Sequence, residues 1–262
     1  MQLPKIDTWK VDRFLADFIQ NYLSRSGFRK VVLGLSGGLD SATAAVLARE
    51  AIGPQNVIAL ILPAPTSSPR DEEDALDLCR RFKIKPRVIP VGPMIDAYFA
   101  EFPHANWLRR GNKAARERMS ILYDWASYHR ALVLGTSNRT ELLLGYFTKY
   151  GDGAADLEPL GNLYKTEVKQ LAQSLGIPDK IIRKPPSAGL WKGQTDEREL
   201  GLTYPLIDSL LYYMFDKKYN DLELAGAGFD PGTIKIVTER VKANEHKRKL
   251  PPIPMIPSEL RR

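Results

Sequence analysis

The 262-residue sequence has a single cysteine, only three histidines and no long apolar run. One cysteine excludes a disulfide framework and a cysteine-based zinc site. No apolar stretch approaches the ~20 residues needed to cross a bilayer, and the opening residues lack the basic-then-apolar order of a signal peptide. We therefore expect a cytoplasmic protein without a membrane partner. Cys79, among apolar residues of a predicted helix, is interpreted as a small core residue.

The overall composition is that of one large folded domain. Hydrophobic residues make up 44% of the chain and charged residues 26%, which is ordinary for a globular protein of this length. The net charge of +7 would suit a nucleic acid, but the basic residues are scattered apart from a group between Lys242 and Lys249. No aromatic-and-basic recognition module accompanies them. We predict small polyanionic ligands and no nucleic-acid partner.

Four apolar segments alternate with helical patterns in the first half of the chain. Buried strands separated by helices indicate a doubly wound parallel α/β sheet with helices on both faces, a Rossmann-like arrangement. Ligands of such sheets bind at the carboxyl ends of the strands. The predicted strands are Val31–Leu35, Val57–Leu62, Arg87–Val91 and Ala131–Gly135.

Helical spacing predicts an opening amphipathic helix, three more helices between the strands, and a largely helical second part. We expect one domain over residues 1–262, with a nucleotide-binding α/β core at about 25–175 and a helical C-terminal part at about 176–262. The predicted helices lie at 6–23, 42–51, 69–82, 112–128, 165–175, 205–215 and 232–243.

The segment Ser36-Gly37-Gly38-Leu39-Asp40-Ser41, here called the phosphate loop, turns the first strand into a helix. Two glycines let the backbone approach a bulky anion, and the helix start offers unpaired N–H groups and its positive dipole end. The serines add hydroxyl donors. The pattern is neither a Walker A loop nor the G-x-G-x-x-G dinucleotide fingerprint.

Asp40 is the most discriminating residue of the phosphate loop. An acid beside an anion site suggests a cation between the two, which points to magnesium bound to the phosphates. The alternative is that Asp40 only favours the start of the helix, where the dipole stabilises negative charge.

The phosphate loop resembles the pyrophosphate-binding loop of the N-type ATP pyrophosphatases, within the adenine nucleotide alpha-hydrolase-like superfamily. After the fourth predicted strand, the chain reads G-T-x-x-x-x-E, then G-Y-F-T-K-Y-G-D-G, then D-L-x-P-L, and here it is similar to NAD synthetase. The resemblance covers nearly the whole chain. It is supported by the segments 115–119, 186–191, 194–197 and 244–248.

The resemblance implies ATP-dependent amidation of deamido-NAD to NAD through an adenylated nicotinate carboxylate, releasing AMP and pyrophosphate. We expect ammonia as nitrogen donor, either free or delivered by a separate glutaminase subunit, because the first strand begins within the first ~40 residues, which leaves no room for a glutaminase domain before it. Cys79 also lacks the surroundings of a glutaminase nucleophile. The implied partners are ATP, deamido-NAD, ammonia and a second copy of the chain. The opening helix and the aromatic-rich 204–219 segment are candidate dimer surfaces.

The same resemblance implies roles for individual residues, with Asp40, Lys165 and Asp156 as the catalytic group. Asp156 is hypothesised to take a proton from ammonium. Mg²⁺ would be held by Asp40 and Glu141. ATP would contact Gly34, Leu35, Ser36, Gly37, Gly38, Leu39, Asp40, Ser41, Thr136, Lys165 and Ser187. Deamido-NAD would contact Arg118, Lys149, Asp156, His246 and Lys247, with Arg116 as a weaker candidate.

Other readings of these residues remain open. Without the resemblance, Lys165 would be a surface lysine, and His246-Lys247 a frayed basic tail. Another ATP pyrophosphatase, such as a tRNA-thiolating or GMP synthetase-like enzyme, is the alternative function, although one cysteine disfavours a thiolase. A nucleotide sensor without catalytic activity is a further alternative, and the presence of Asp40, Glu141 and Lys149 disfavours it. Many relatives have Asp-His where this chain has Ser137-Asn138.

Overall fold

A four-stranded parallel sheet forms the centre of the protein, in a computed structural model that describes residues 3–187, 189, 191 and 193–261. Its strands are β1 (Val31–Gly34), β2 (Val57–Ile61), β3 (Lys85–Val88) and β4 (Leu132–Val133). The strand order is β3-β2-β1-β4, with β1 paired to β2 and β4.

The helices of the described residues fall between and after these strands, and 3-10 turns lie at Pro54–Asn56, Glu245–Lys247 and Ser258–Leu260. The helices are α1 (Thr8–Arg25), α2 (Leu39–Ile52), α3 (Pro69–Phe82), α4 (Gly92–Ala100), α5 (Trp107–His129), α6 (Arg139–Leu144), α7 (Lys165–Ser174), α8 (Asp179–Ile182), α9 (Asp196–Leu200), α10 (Tyr204–Phe215), α11 (Asp221–Gly226) and α12 (Pro231–Ala243). None of these described helices is long and apolar enough to span a membrane.

Both faces of the sheet are covered, because alternate residues of β1 enter different cores. Val31 and Leu33 pack with α1, α2, α3 and α7. Val32 packs on the opposite face with α4 and α5, as side chains of a strand alternate between faces. A third cluster joins α6, α10, α11 and α12 around residues such as Leu210 and Leu224. The predicted doubly wound α/β fold is confirmed.

Local signals place several elements correctly. Asp7 caps α1, and its carboxylate accepts from the Lys10 N–H at 3.2 Å. Gly53 ends α2, Ser68 precedes Pro69 at the start of α3, and α7, α10 and α12 lie within a residue or two of their predicted ranges. Cys79 is buried in the core as predicted.

Two strand predictions are wrong in extent. The third strand lies at Lys85–Val88, is exposed along its whole length and contains Pro86, which an edge strand tolerates because one side needs no ladder donor. The fourth strand has only two residues, because the following backbone pairs with an incoming segment: Gly135 N–H donates to the Leu157 carbonyl at 2.8 Å. Ala188 and Leu190, in the segment resembling NAD synthetase, lie outside the described residues.

Candidate active site

The phosphate loop forms a tight turn between β1 and α2. Gly34 and Leu35 lead into it, and α2 begins at Leu39 with Gly38 as its N-cap. The hydroxyls of Ser36 and Ser41 lie 3.0 Å apart. Among the described residues, no side chain caps the start of α2. The first-turn N–H groups therefore face the loop without a side-chain partner, an arrangement suited to an anion.

Gly37 gives the loop its shape. Its φ of +76° lies in the left-handed region that favours glycine. A β-carbon at this position would lie 2.1 Å from the carbonyl oxygen of Asp71. The first turn of α3 is thus packed directly against the loop, and only glycine fits between them.

The structure brings together three of the predicted site residues, which come from three helix starts. Asp40 lies in the first turn of α2, Glu141 in the first turn of α6, and Lys165 opens α7. The Lys165 ammonium forms a short ion pair with Asp40 Oδ2 and lies 3.3 Å from Glu141 Oε1. Only 6% of Lys165 is exposed, so the alternative interpretation as a surface lysine is wrong.

Asn138 connects the two acids of this cluster. Its side-chain oxygen accepts from the Glu141 N–H at 3.0 Å, and Glu141 Oε2 accepts from the Asn138 N–H at 3.3 Å, which forms a capping box at the start of α6. Its Nδ2 also donates to Asp40 Oδ1 at 3.1 Å. Sequence reasoning gave Asn138 no role, although an Asn three residues before a Glu is a capping-box signal.

Charge is unevenly matched in the cluster. Burial raises the pKa of Glu141 to about 8, with the Lys165 charge opposing this effect and the Asp40 charge adding to it. Burial works against the charge of Lys165, but Asp40 and Glu141 together raise its pKa above the ordinary value. The ammonium therefore stays protonated, and two carboxyl groups share one permanent cation.

A fully buried acid, Asp208 on α10, supports the cluster of Asp40, Glu141 and Lys165 through the neighbouring threonines. Its Oδ1 accepts from the Thr140 hydroxyl at 2.5 Å, and its Oδ2 accepts from the Thr166 N–H at 2.8 Å. The Thr140 hydroxyl in turn accepts from the Lys165 N–H at 3.0 Å. Asp208 therefore joins α6 to α7 beside Glu141 and Lys165. Sequence reasoning missed it; an acid inside an otherwise apolar helix was the signal.

Glu158 is a second poorly solvated acid near the end of β4. Its Oε2 accepts from the Ser137 N–H at 3.1 Å. Burial raises the pKa of Glu158 to about 8, the Ser137 hydrogen bond opposes this effect, and the charges of Glu141 and Asp152 add to it. This carboxyl group is therefore substantially protonated near neutral pH.

Several residues predicted for deamido-NAD meet where the loop after α6 contacts the C-terminal turn. Lys149 Nζ donates to the His246 carbonyl at 2.6 Å. Lys247 Nζ donates to the carbonyls of Gly145 and Phe147 at 2.8 and 3.0 Å. The basic segment is therefore docked on the loop, and the alternative interpretation as a frayed tail is wrong. Arg248 strengthens this docking, because its Nη1 donates to the Leu143 carbonyl at 2.5 Å.

The α5 arginines point in different directions. Arg116 Nε donates to the Lys149 carbonyl at 3.2 Å, which places Arg116 at the same loop. Arg118 Nε donates instead to the Leu62 carbonyl at 2.8 Å, at the end of β2. Burial lowers the pKa of Arg118, with Asp152 opposing the effect. Arg118, the stronger candidate for a deamido-NAD contact, thus lies nearer the sheet than Arg116.

Asp156 is held against the sheet rather than pointing freely into solvent. Its Oδ2 accepts from the Val133 N–H at 2.7 Å, and its Oδ1 from the Tyr123 hydroxyl at 3.3 Å. Burial, then the Asp156 charge, raises the pKa of Tyr123 to about 12. The role of Asp156 as a base stays a prediction.

Thr136 and Ser187 are not joined to the cluster by hydrogen bonds of the described residues. Thr136 follows β4 and is half-buried, and Ser187 is exposed, with its hydroxyl accepting from the Gly189 N–H at 3.1 Å. Farther along this segment, the Trp191 ring contacts Trp107 at a centroid distance of 4.0 Å. The ATP contacts of Thr136 and Ser187 remain predictions.

Comparison with known proteins decides the family of this site. The family model for NAD synthase matches residues 11–251. The chain belongs to the NAD synthase family. A curated NH(3)-dependent NAD(+) synthetase from Trichlorobacter lovleyi is 49% identical over 248 residues, covering 95% of this chain and 91% of that protein.

Solved structures agree with this membership in the NAD synthase family. An NMN synthetase from Francisella tularensis superposes with a TM-score of 0.86 at 36% identity, covering 96% of this chain and all of that one (100%). The NH3-dependent NAD synthetase from Campylobacter jejuni, solved with a nitrate ion, gives 0.81 at 36% identity, covering 95% and 100%. The predicted family and fold class are confirmed.

Proposed function

We propose that this chain catalyses the ATP-dependent amidation of deamido-NAD to NAD with ammonia, the last step of NAD biosynthesis. ATP adenylates the nicotinate carboxylate and releases pyrophosphate, and ammonia then displaces AMP. The observation that carries this proposal is the cluster of Asp40, Glu141 and Lys165 at an uncapped helix start, in a chain of the NAD synthase family.

The reaction needs alignment more than a covalent nucleophile. First-turn N–H groups of α2 and the hydroxyls of Ser36 and Ser41 would bind the ATP phosphates. The Lys165 ammonium, buried beside the phosphate loop, would stabilise charge as pyrophosphate leaves. Holding carboxylate and α-phosphorus in line converts a bimolecular step into an effectively unimolecular one.

Asp40 and Glu141 fit a magnesium ion by the chemistry of their oxygen donors. The Lys165 ammonium lies between them, so a cation is already accommodated where their carboxylates converge. Among the described residues, no group of three or more acidic, histidine or cysteine side chains is arranged to hold a metal by itself. Phosphate oxygens and water would complete the coordination, as magnesium prefers. When bound, the ion would neutralise phosphate charge.

Deamido-NAD would lie along the loop after α6 and the C-terminal turn. Lys149, Arg116 and Lys247 place positive charge there, which suits the pyrophosphate and carboxylate of this substrate. Arg118, His246 and Asp156 remain further candidates. Because Asp156 accepts from the Val133 N–H, its proposed proton transfer from ammonium would use the oxygen that faces Tyr123.

We also propose a homodimer through α1. This helix buries Leu15 and Ile19 but leaves Trp9 68% and Phe14 71% exposed. In contrast, α10 of the 204–219 segment packs largely inside its own chain. Phe14→Glu should convert a dimer into a monomer in light scattering after size-exclusion chromatography. Glu at the exposed position Gln20 is the matched control, and an unchanged mass for Phe14→Glu would contradict this interface.

The activity test combines purified protein with deamido-NAD, MgATP and an ammonium salt, and detects NAD by mass spectrometry. We expect NAD, AMP and pyrophosphate in equal amounts, and no NAD when glutamine replaces ammonium. Nicotinate mononucleotide is the second candidate substrate, because the Francisella relative is an NMN synthetase with a TM-score of 0.86. Pyrophosphate release that needs neither nicotinate substrate would contradict both candidates.

A further inference from the structure

Lys184, just after α8, contacts the back of the phosphate loop. Its Nζ donates to the Gly37 carbonyl at 2.9 Å. The same ammonium pairs with Asp71 Oδ1 at 2.9 Å and with Asp74 Oδ2 at 2.5 Å, both on α3. Asp74 has only 12% of its side chain exposed, and Lys184 has 25%. One side chain thus links the loop to α3 and to the segment leading to Ser187.

The bond to the Gly37 carbonyl fixes the direction of a peptide group in the loop. Because the Gly37–Gly38 peptide is planar and trans, its C=O and N–H point in opposite directions. With the carbonyl held by Lys184, the Gly38 N–H is directed to the other side, where it meets Ser36 Oγ at 3.3 Å. That side carries the serine hydroxyls and the uncapped start of α2.

Local charge argues that Lys184 supports the loop rather than binding the anion itself. Its ammonium already has two carboxylate partners, Asp71 and Asp74. Burial works to raise the pKa of Asp74, but hydrogen bonds from Lys180 and Lys184 lower it overall. The ion pairs are therefore satisfied without an added phosphate.

Lys180 provides a control within the same fold. It lies one helical turn earlier and pairs with Asp74 Oδ1 at 2.8 Å and Asp77 Oδ2 at 2.5 Å. None of its hydrogen bonds among the described residues reaches the phosphate loop. The two lysines share Asp74, and only Lys184 contacts Gly37.

We propose that Lys184 is a positioning residue that holds the Gly37–Gly38 peptide in the orientation required to bind the polyphosphate of ATP. This inference rests on the proposed function, because it assigns ATP to the phosphate loop. Losing a hydrogen bond from a charged donor should weaken MgATP binding by roughly tenfold.

The test is calorimetric titration of MgATP, without deamido-NAD or ammonium, into wild type, Lys184→Met and Lys180→Met. We expect the Kd for MgATP to rise roughly tenfold for Lys184→Met and to stay within about twofold for Lys180→Met. Both variants lose an ion pair with Asp74, so the difference between them reports the contact of Lys184 with Gly37. Lys184→Arg, which keeps the charge and a donor, should stay within about threefold of wild type. The Kd for deamido-NAD should not change in any variant.

An unchanged MgATP Kd in Lys184→Met, or equal losses in both methionine variants, would overturn the positioning role. If Lys184→Met does not fold, Lys184→Leu, which also has no donor for the Gly37 carbonyl, takes its place with the same expected loss. Wild type that binds MgATP but makes no NAD would overturn the proposed function alone. Wild type that fails to bind MgATP would overturn both.

Discussion

Two lysine clusters flank the phosphate loop, and they differ in how completely their charge is matched. Lys165 lies between Asp40 and Glu141, which come from two different helices. Lys184 lies between Asp71 and Asp74 of one helix, and Lys180 adds a second cation to the latter acid.

The pKa directions show what this difference means. Burial, and then the Asp40 charge, raise the pKa of Glu141 to about 8 in spite of the Lys165 ammonium, so this one cation does not keep both acids of the first cluster ionised near neutral pH. Despite burial, two lysines lower the pKa of Asp74, so the second cluster is saturated. The first arrangement suits a site that receives a cation, and the second suits a support.

The strongest test of this comparison removes an acid of the first cluster and, as control, Asp77, which pairs with Lys180 at the outer edge of the second cluster. Asp40→Asn should lower kcat/KM for NAD formation by ~10²- to 10³-fold, because it removes a proposed metal ligand and the partner of Lys165. Asp77→Asn, which removes only the outer partner of Lys180 and Arg80, is the control and should stay within about twofold. Steady-state kinetics measure both. Similar losses in both variants would show that the clusters do not differ.

A second prediction concerns the support behind the first cluster. The two carboxylate oxygens of Asp208 accept from the Thr140 hydroxyl and the Thr166 N–H. Asp208→Asn replaces one of these acceptors with an NH₂ donor, so Thr140 or Thr166 loses its acceptor in a fully buried place. We expect kcat to fall by ~10-fold and stability by roughly 1–3 kcal/mol. Ser209→Ala is the control, since among the described residues its hydroxyl bonds only to the Pro205 carbonyl within α10. Stability loss with normal kcat would reduce Asp208 to a structural residue.

A smaller effect is expected at Asn138. Asn138→Ala removes the donor to Asp40 and the cap of α6, which should cost roughly 1 kcal/mol of stability and weaken MgATP binding a fewfold. Asn220→Ala removes the equivalent cap of α11, far from the phosphate loop in sequence, and serves as control. Calorimetry and thermal unfolding of both variants separate the cap from the contact with Asp40. Equal MgATP affinities of the Asn138→Ala and Asn220→Ala variants would show that the contact of Asn138 with Asp40 does not contribute to MgATP binding.

The smallest predicted effect is a change in pH dependence at Glu158. Its pKa is raised from 4.5 to about 8 in the folded state, so its stabilising contribution is full below 4.5 and is lost as pH rises through about 8. Glu158→Gln should leave the Tm near wild type at low pH and raise it at pH 9, where the wild-type side chain is ionised in its poorly solvated place. Glu239→Gln, at an exposed position, should show neither trend. Parallel Tm curves for wild type and Glu158→Gln would contradict the assignment.

Local chemistry explains which parts of the fold the sequence predicts. Asp7, Gly53 and Ser68-Pro69 mark helix ends through contacts within a few residues, so those helices are placed correctly. The helix α4 was missed because its Gly92-Pro93 start resembles a turn. The edge strand β3 was displaced because none of its residues is buried, so hydrophobicity carries no signal there.

The residues of the candidate site also fall into a group that the local sequence predicts and a group that it does not. The phosphate loop and the acids Asp40 and Glu141 stand in recognisable motifs, so their meeting was predictable. Lys184 and Asp208 act through partners 147 and 68 residues away. An acid within the apolar helix α10 marks Asp208 as unusual, but nothing in the neighbouring sequence identifies its partners or those of Lys184.

The docked C-terminal turn sets a boundary for trimming and tagging the protein. Lys247 and Arg248 bond carbonyls at the end of α6 and in the loop beyond it, whereas the side chains from Lys249 to Arg261 are all exposed. A protease that cuts after Lys249 should therefore leave an intact enzyme, and an affinity tag placed beyond that point should be tolerated. A stop codon only five positions earlier would remove the residues that contact Lys149 and the loop after α6, and would leave that loop without its support.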